Sequence, residues 1–251
     1  MSFPPHLLHT LKTLLQDLLF PLRMHFGRKI ISSPQRQIVR ISRHTLIKGP
    51  CSDQELEAMV YVSSHTTVSL PRVQRVYRQS RGRMYIAMDF IRGGRLDELW
   101  PDLDQKERRG AVGEVCEMLR KLHAIPVPRE LGLAISSIEG GALHDGIFGP
   151  SPLGPFTSIQ EFHDRLEGNP NVDQYREIWD SPQAEASRSV LSHADIAPRN
   201  LIRRDEDGEL VLIDWEFSGW WPEYWERVKW HFTDFPETEG WVGMMDEGAN
   251  T

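Results

Sequence analysis

The stretch Leu191–Glu216, LSHADIAPRNLIRRDEDGELVLIDWE, decides how this chain is read. It contains His193-x-Asp195-x4-Asn200, and fourteen residues after Asn200 it reaches Asp214 at the end of the apolar run Leu210–Ile213. Between them, Asp207-Gly208 is a turn dipeptide flanked by Asn200–Arg203 and Glu209–Ile213, which predicts a β-hairpin. Such a hairpin folds Asn200, at the start of one strand, back beside Asp214, at the end of the other. Two oxygen ligands then face one space, as Mg²⁺ requires. Asp195, in the loop just before, can approach the same space. A metal pair with a carboxylate base beside it is the apparatus of phosphoryl transfer.

Before this stretch the chain changes character once. Arg28–Ser32, Gln37–Ser42 and Thr45–Lys48 read as short strands, and Val39 and Ile41 alternate with polar residues. Ser52 to Val62 reads as a helix, with Ser52 and Glu55 spaced as a capping box. Arg72–Tyr77 and Met84–Ile91 read as two further strands, after which Gly93 and Gly94 break the pattern. Beyond them Gln105–His123 is an amphipathic helix, with Val112, Val115, Cys116, Leu119 and Leu122 on one side. Ile125 to Pro155 is rich in Gly and Pro and reads as a long loop, a kind of segment often tied to function. Ser158–Leu166 reads as helix. A strand-rich part and a helix-rich part thus meet near Asp89–Gly94.

The 251 residues suffice for one large domain or two small lobes. A net charge of −7 argues against a general nucleic-acid binder, which needs a basic face. The only cysteines, Cys51 and Cys116, fit free thiols in a reducing, cytoplasmic setting. No apolar run reaches the ~18–20 residues that span a bilayer, and no secretory leader is evident. Leu7, Leu8, Leu11, Leu14, Leu15, Leu18 and Leu19 recur at helical spacing and predict an amphipathic helix within residues 1–27, read first as packed on the first lobe and second as a membrane-surface or organellar targeting helix, both of which Asp17 and the short length weaken.

Taken together, these segments resemble the aminoglycoside phosphotransferase (choline kinase-like) family of the protein-kinase-like superfamily, and within it a branch abundant in filamentous fungi. The resemblance rests on Ile47-Lys48-Gly49, Glu55–Met59, Met88–Gly94, Gly154-Pro-Phe156, His193–Asn200, Ile213–Glu216 and Gly219–Trp225, in that order along most of the chain. It implies an α+β, two-lobe fold: an antiparallel-sheet N-lobe over residues 28–94 and a mainly helical C-lobe over 95–251, with the nucleotide between them. It also implies ATP and Mg²⁺ as cofactors and a small-molecule hydroxyl as acceptor. Asp195 would be the catalytic base, and Asn200 and Asp214 the Mg²⁺ ligands. Lys48 would neutralise the nucleotide phosphates, with Glu55 as its partner and Glu57 as the fallback. Asp89 to Ile91 would lie in the hinge, where backbone groups meet adenine. Its fold could also persist without turnover, as a nucleotide-binding pseudoenzyme or binding module.

Three features qualify the pattern. The turn Ser32-Ser33-Pro34-Gln35-Arg36 holds no glycine, and Pro34 lacks an N–H, so fewer backbone donors can cradle phosphate; Ser33 or Arg36 could compensate. His193 reads as structural rather than as a proton shuttle. Trp215, Trp220, Trp221, Trp225 and Trp230 read first as core, and second as a wall of the acceptor site near Gly154–Phe156.

Overall fold

The computed structural model describes residues 18–33, 36–132, 134–233 and 235–249. The leucine-rich helix expected before residue 18 lies outside them, as does the tip of the turn at residues 34–35. The chain divides into two compact units, residues 1–52 with 72–90 and residues 53–71 with 91–251.

The first unit is an antiparallel sheet of five strands in the order β1-β2-β3-β5-β4. These are β1 (Arg28–Ser32), β2 (Gln37–Arg40), β3 (Thr45–Cys51), β4 (Val73–Arg78) and β5 (Met84–Asp89). Val39 faces Ile47, and Ile47 faces Ala87, so the middle of the sheet is an apolar ladder. A short helix, Phe20–Phe26, covers one face by setting Phe20 against Tyr77 and Tyr85, with ring centroids 4.8 and 5.0 Å apart. β2 ends at Arg40 rather than Ser42, β4 lies one residue later than expected, and the ends of β3 and β5 also shift. β3 continues past Lys48, because its ladder with β5 resumes at Cys51–Met84 after an irregularity. Lys48 is therefore inside the strand, opposite Ile38 and Ile86, rather than at its end. β5 stops at Asp89, where the next amide, Phe90 N, turns to the His44 carbonyl.

Helix Asp53–His65 belongs to the second unit for a visible reason. Buried Gln54 donates to the Ser218 carbonyl at 3.0 Å and accepts from His144 N at 2.7 Å. Helix Gln105–His123 has the expected bounds, is closed by a capping box of Asp104 and Glu107, and buries Val112, Val115, Cys116, Leu119 and Leu122. Gly93 and Gly94 do not end the regular structure. They open β6 (Gly93–Arg95), which pairs with β8 (Leu201–Arg204) after the intervening β7 (Ser189–Ser192). A Cβ on Gly93 would lie 2.0 Å from the Arg203 carbonyl oxygen, so glycine here permits close backbone approach.

The hairpin read from the sequence forms. β8 pairs with β9 (Leu210–Leu212), and Leu201 stands opposite Leu212. A second ribbon joins β7 to β10 (Gly219–Pro222), with Ser192 opposite Gly219. Beneath them lies an aromatic and aliphatic core including Ile135, Leu143, Phe162, Trp179, Trp221 and Trp225. The long segment 125–155 is irregular but pinned to its surroundings by bridges Ile135–Phe156, Ser136–Trp220 and Leu143–Leu153. No described helix is long and apolar enough to cross a membrane.

Candidate active site

Two loops of the second unit carry the candidate residues Asp195, Asn200 and Asp214, and the two ribbons grip both. The loop 193–200 leaves β7 and enters β8; the loop 213–218 leaves β9 and enters β10. Since β8 pairs with β9 and β7 with β10, each loop is clamped at both ends by the other's strands. One further bond extends the β8–β9 ladder: Ile213 N donates to the Asn200 carbonyl at 2.9 Å. Asp214 therefore follows a residue bonded directly to Asn200. The backbone is strained on each loop. Ala194 has φ 60° and Asp214 φ 70°, left-handed values that cost a non-glycine residue about 1–2 kcal/mol. Both flank or carry the candidate functional groups.

Asp195 is buried, and both carboxylate oxygens are engaged. Oδ2 accepts from Asn200 Nδ2 at 2.7 Å, and Oδ1 accepts from Arg199 Nη2 at 2.7 Å. Asn200 Nδ2 also donates to the Asp195 main-chain carbonyl at 2.9 Å. With its nitrogen turned to Asp195, the Asn200 amide presents its oxygen on the opposite prong. Burial pushes the Asp195 carboxyl up from its ordinary range. Arg199, Lys229 and the Asn200 bond pull it back, while the charge of Asp214 adds to the rise.

Histidine 193 has a structural place. Its Nε2 lies 3.0 Å from the Ile213 carbonyl, which can only accept, so Nε2 carries the proton. The ring meets Trp215 edge-on at 4.7 Å, and the His193 carbonyl accepts from Ser218 Oγ at 3.1 Å. The imidazole thus ties the two loops together immediately before Asp214.

The other expected residues fall as follows. Lys48 is buried within β3 of the first unit. Glu55 is buried on helix Asp53–His65 of the second unit. Glu57 points elsewhere, its Oε2 accepting from Glu139 N at 3.2 Å; residues two apart on a helix do not share a face. Asp89 turns its carboxylate along the sheet to Gln74 Nε2 at 2.7 Å and Arg72 Nε at 3.1 Å. The boundary between units falls between Phe90 and Ile91. Ser33 Oγ accepts from Arg36 N at 3.0 Å, closing the glycine-free turn on itself.

The tryptophans are core. Trp215, Trp220, Trp221 and Trp225 are fully buried and Trp230 nearly so. Trp221 and Trp225 stack at 5.5 Å, Phe162 meets Trp225 edge-on at 5.0 Å, and Phe156 packs on Phe162 at 5.7 Å. Rings this deeply buried offer no face to an acceptor, which removes the reading of these tryptophans as a substrate wall.

Among them stand groups that the sequence did not single out. Glu226 is buried, and its carboxylate accepts from Ala194 N at 2.8 Å and Ile196 N at 3.2 Å, the amides on either side of Asp195. Burial pushes its carboxyl up to about 7. Three residues on, Lys229 pairs with Asp145 at 2.7 Å. That pair is almost wholly buried, and Asp145 also accepts from Trp225 Nε1 at 3.2 Å and Ile147 N at 2.9 Å. Charged residues amid a run of tryptophans were the available signal, since a charge is buried only with partners.

A family model described as "Phosphotransferase enzyme family" matches residues 29–248. The chain belongs to that family. Its fold, an antiparallel sheet unit and a largely helical unit, is shared with solved kinase-like phosphotransferases. The GDP and kanamycin complex of APH(2")-IIIa is 12% identical with a TM-score of 0.63, covering 90% of this chain and 78% of the other. The ternary complex of aminoglycoside phosphotransferase APH(4)-Ia with ADP and hygromycin B is 16% identical with a TM-score of 0.57, covering 93% and 80%. The streptomycin–ATP complex of APH(2")-IIa is 15% identical with a TM-score of 0.54, covering 99% and 87%. No curated protein matches the chain in sequence.

Proposed function

We propose that this phosphotransferase moves the γ-phosphoryl group of ATP to a hydroxyl of a small-molecule acceptor. The observation that carries the reading is the joining of the loops at Asn200 and Ile213, which sets a buried carboxylate, an amide oxygen and a second carboxylate on adjacent backbone. The ligands of the three structural relatives, a nucleotide with an aminoglycoside in each, support the same class of reaction.

In this reading Asp195 accepts the proton of the acceptor hydroxyl. The oxygen attacks the γ-phosphorus, and the bond to the β–γ bridging oxygen breaks to release ADP. The rise of the Asp195 carboxyl through burial makes it a better proton acceptor than an exposed aspartate. Among the described residues, no group of three or more His, Cys, Asp or Glu side chains is placed to hold a metal ion. One amide oxygen and one carboxylate, Asn200 and Asp214, fit Mg²⁺ nonetheless, because this ion keeps waters and takes phosphate oxygens for its remaining positions. Bound there, the ion would neutralise phosphate charge. Lys48 and Glu55 are proposed as the phosphate-neutralising cation and its partner, and the main chain of Asp89 and Ile91 as the adenine contact.

The test is ADP release from Mg·ATP against a panel of hydroxyl acceptors: aminoglycosides, choline-like alcohols and sugars. Release that depends on one acceptor class supports the proposal. Nucleotide binding without release on any acceptor favours the pseudoenzyme reading, to which the glycine-free turn at Ser33–Arg36 would contribute.

A further inference from the structure

Arg199 lies inside the loop that defines the site and has no part in the reading above. It occupies the short 3-10 turn Pro198–Asn200, four residues after Asp195, and its Nη2 donates to Asp195 Oδ1 at 2.7 Å. Its side chain is 38% exposed, against 13% for Asp195. Its guanidinium carbon stands 5.9 Å from the Phe235 ring centroid. Among the described residues, the remaining N–H groups of this guanidinium meet no protein acceptor.

Stability gives this pair little purpose. An ion pair with one partner so exposed contributes little to stability. For a bare general base the pairing is a handicap, since a cation on a carboxylate makes it a weaker proton acceptor. The arrangement gains sense if the cation also acts on the reacting atoms. Each carboxylate oxygen can accept two hydrogen bonds, so Oδ1 retains one position for the acceptor hydroxyl. Two groups bonded to one oxygen stand about 4–5 Å apart. A hydroxyl on Oδ1 would thus lie that far from Nη2, with the phosphorus it attacks about one bond further on. A planar guanidinium with N–H groups to spare is suited to phosphoryl oxygens at that range.

Resting on the phosphotransferase reading, we propose that Arg199 is a second catalytic residue, whose guanidinium bridges Asp195 and the transferring phosphoryl group and supplies positive charge where charge develops in transfer.

The probe is Mg·ADP, titrated with and without aluminium fluoride, whose planar anion mimics the phosphoryl group in flight. Wild type should bind Mg·ADP more tightly with aluminium fluoride present. Arg199→Ala should leave affinity for Mg·ADP alone within about two-fold and cut the aluminium fluoride gain by about 10-fold or more. Arg199→Lys should restore part of that gain. An undiminished gain in Arg199→Ala overturns the proposal, and so does an equal loss of affinity for Mg·ADP alone, which marks a structural residue. No gain from aluminium fluoride in a wild type that binds Mg·ADP also overturns it while leaving the phosphotransferase reading intact. A wild type that binds no nucleotide removes both.

Discussion

The side chain of Asn200 holds Asp195 at two points, donating through Nδ2 to its carboxylate at 2.7 Å and to its main-chain carbonyl at 2.9 Å. The metal-ligand candidate is therefore also a support of the proposed base. Asn200→Asp would offer an anion to a hard cation, nominally a better ligand. It would also replace a donor by a second carboxylate against Asp195. Transfer should fall at least as far in Asn200→Asp as in Asn200→Ala, with each turnover rate measured at saturating Mg·ATP. Improved turnover in the aspartate variant would show that the two side chains do not work as a unit.

Glu226 should matter without meeting a substrate. Its carboxylate holds the amides of Ala194 and Ile196, and so fixes the strained turn that presents Asp195. Glu226→Gln leaves one acceptor oxygen and aims an NH₂ group at a backbone donor. The expected outcome is a turnover rate lower by about 10-fold or more, given about 1–3 kcal/mol for an unsatisfied buried donor, with KM for ATP little changed. Equal turnover in a folded variant would show that the loop holds its shape unaided.

His123 sets a pH dependence of stability. Burial holds its imidazole down to about 4 from 6.5, with Glu223 opposing and Arg188 assisting. A depressed value means that the folded state binds fewer protons than the unfolded chain between those limits. Stability is then full above about 6.5 and is lost as pH falls towards 4, by about 3 kcal/mol in all. His123→Gln should lose less stability than wild type between pH 7 and pH 4.5 in urea unfolding. Parallel losses in the two proteins would contradict this.

Gly219 has no room for a side chain. A Cβ there would lie 2.5 Å from Leu143 Cδ2 and 2.7 Å from the Ser136 carbonyl oxygen, which accepts from Trp220 N. Gly219→Ala should therefore cost about 1–3 kcal/mol by overpacking, read as a lower urea midpoint with unchanged slope. An unchanged midpoint would mean that the ribbon β7–β10 yields freely.

The hairpin Leu201–Leu212 was legible because a turn dipeptide and two apolar runs are local signals. Helix Gln105–His123 was legible because nineteen residues of amphipathic pattern leave little choice. The misread places depend on partners distant in sequence. Gly93 and Gly94 read from the sequence as a break, yet they pair with Arg204 and Arg203, more than a hundred residues away. Lys48 reads from the sequence as a strand end, but the strand's true extent is set by Met84. Glu226 carries no motif; its grip on Ala194 and Ile196 depends on a fold that brings the tryptophan-rich segment back to the loop. The tryptophans read as wall or core from sequence alone, and their burial in the folded chain decides between the two.

The most direct test of the site is calorimetric titration of ATP, with and without Mg²⁺, into wild type, Asp195→Asn and Asp214→Asn, paired with ADP release on the acceptor panel. Asp195→Asn should keep Mg²⁺-dependent nucleotide binding within a few-fold while transfer falls by about 100-fold or more. Asp214→Asn should lose most of the Mg²⁺-dependent part of the affinity together with transfer. No binding to wild type, or equal binding and equal transfer in all three proteins, would contradict the assignment of this site.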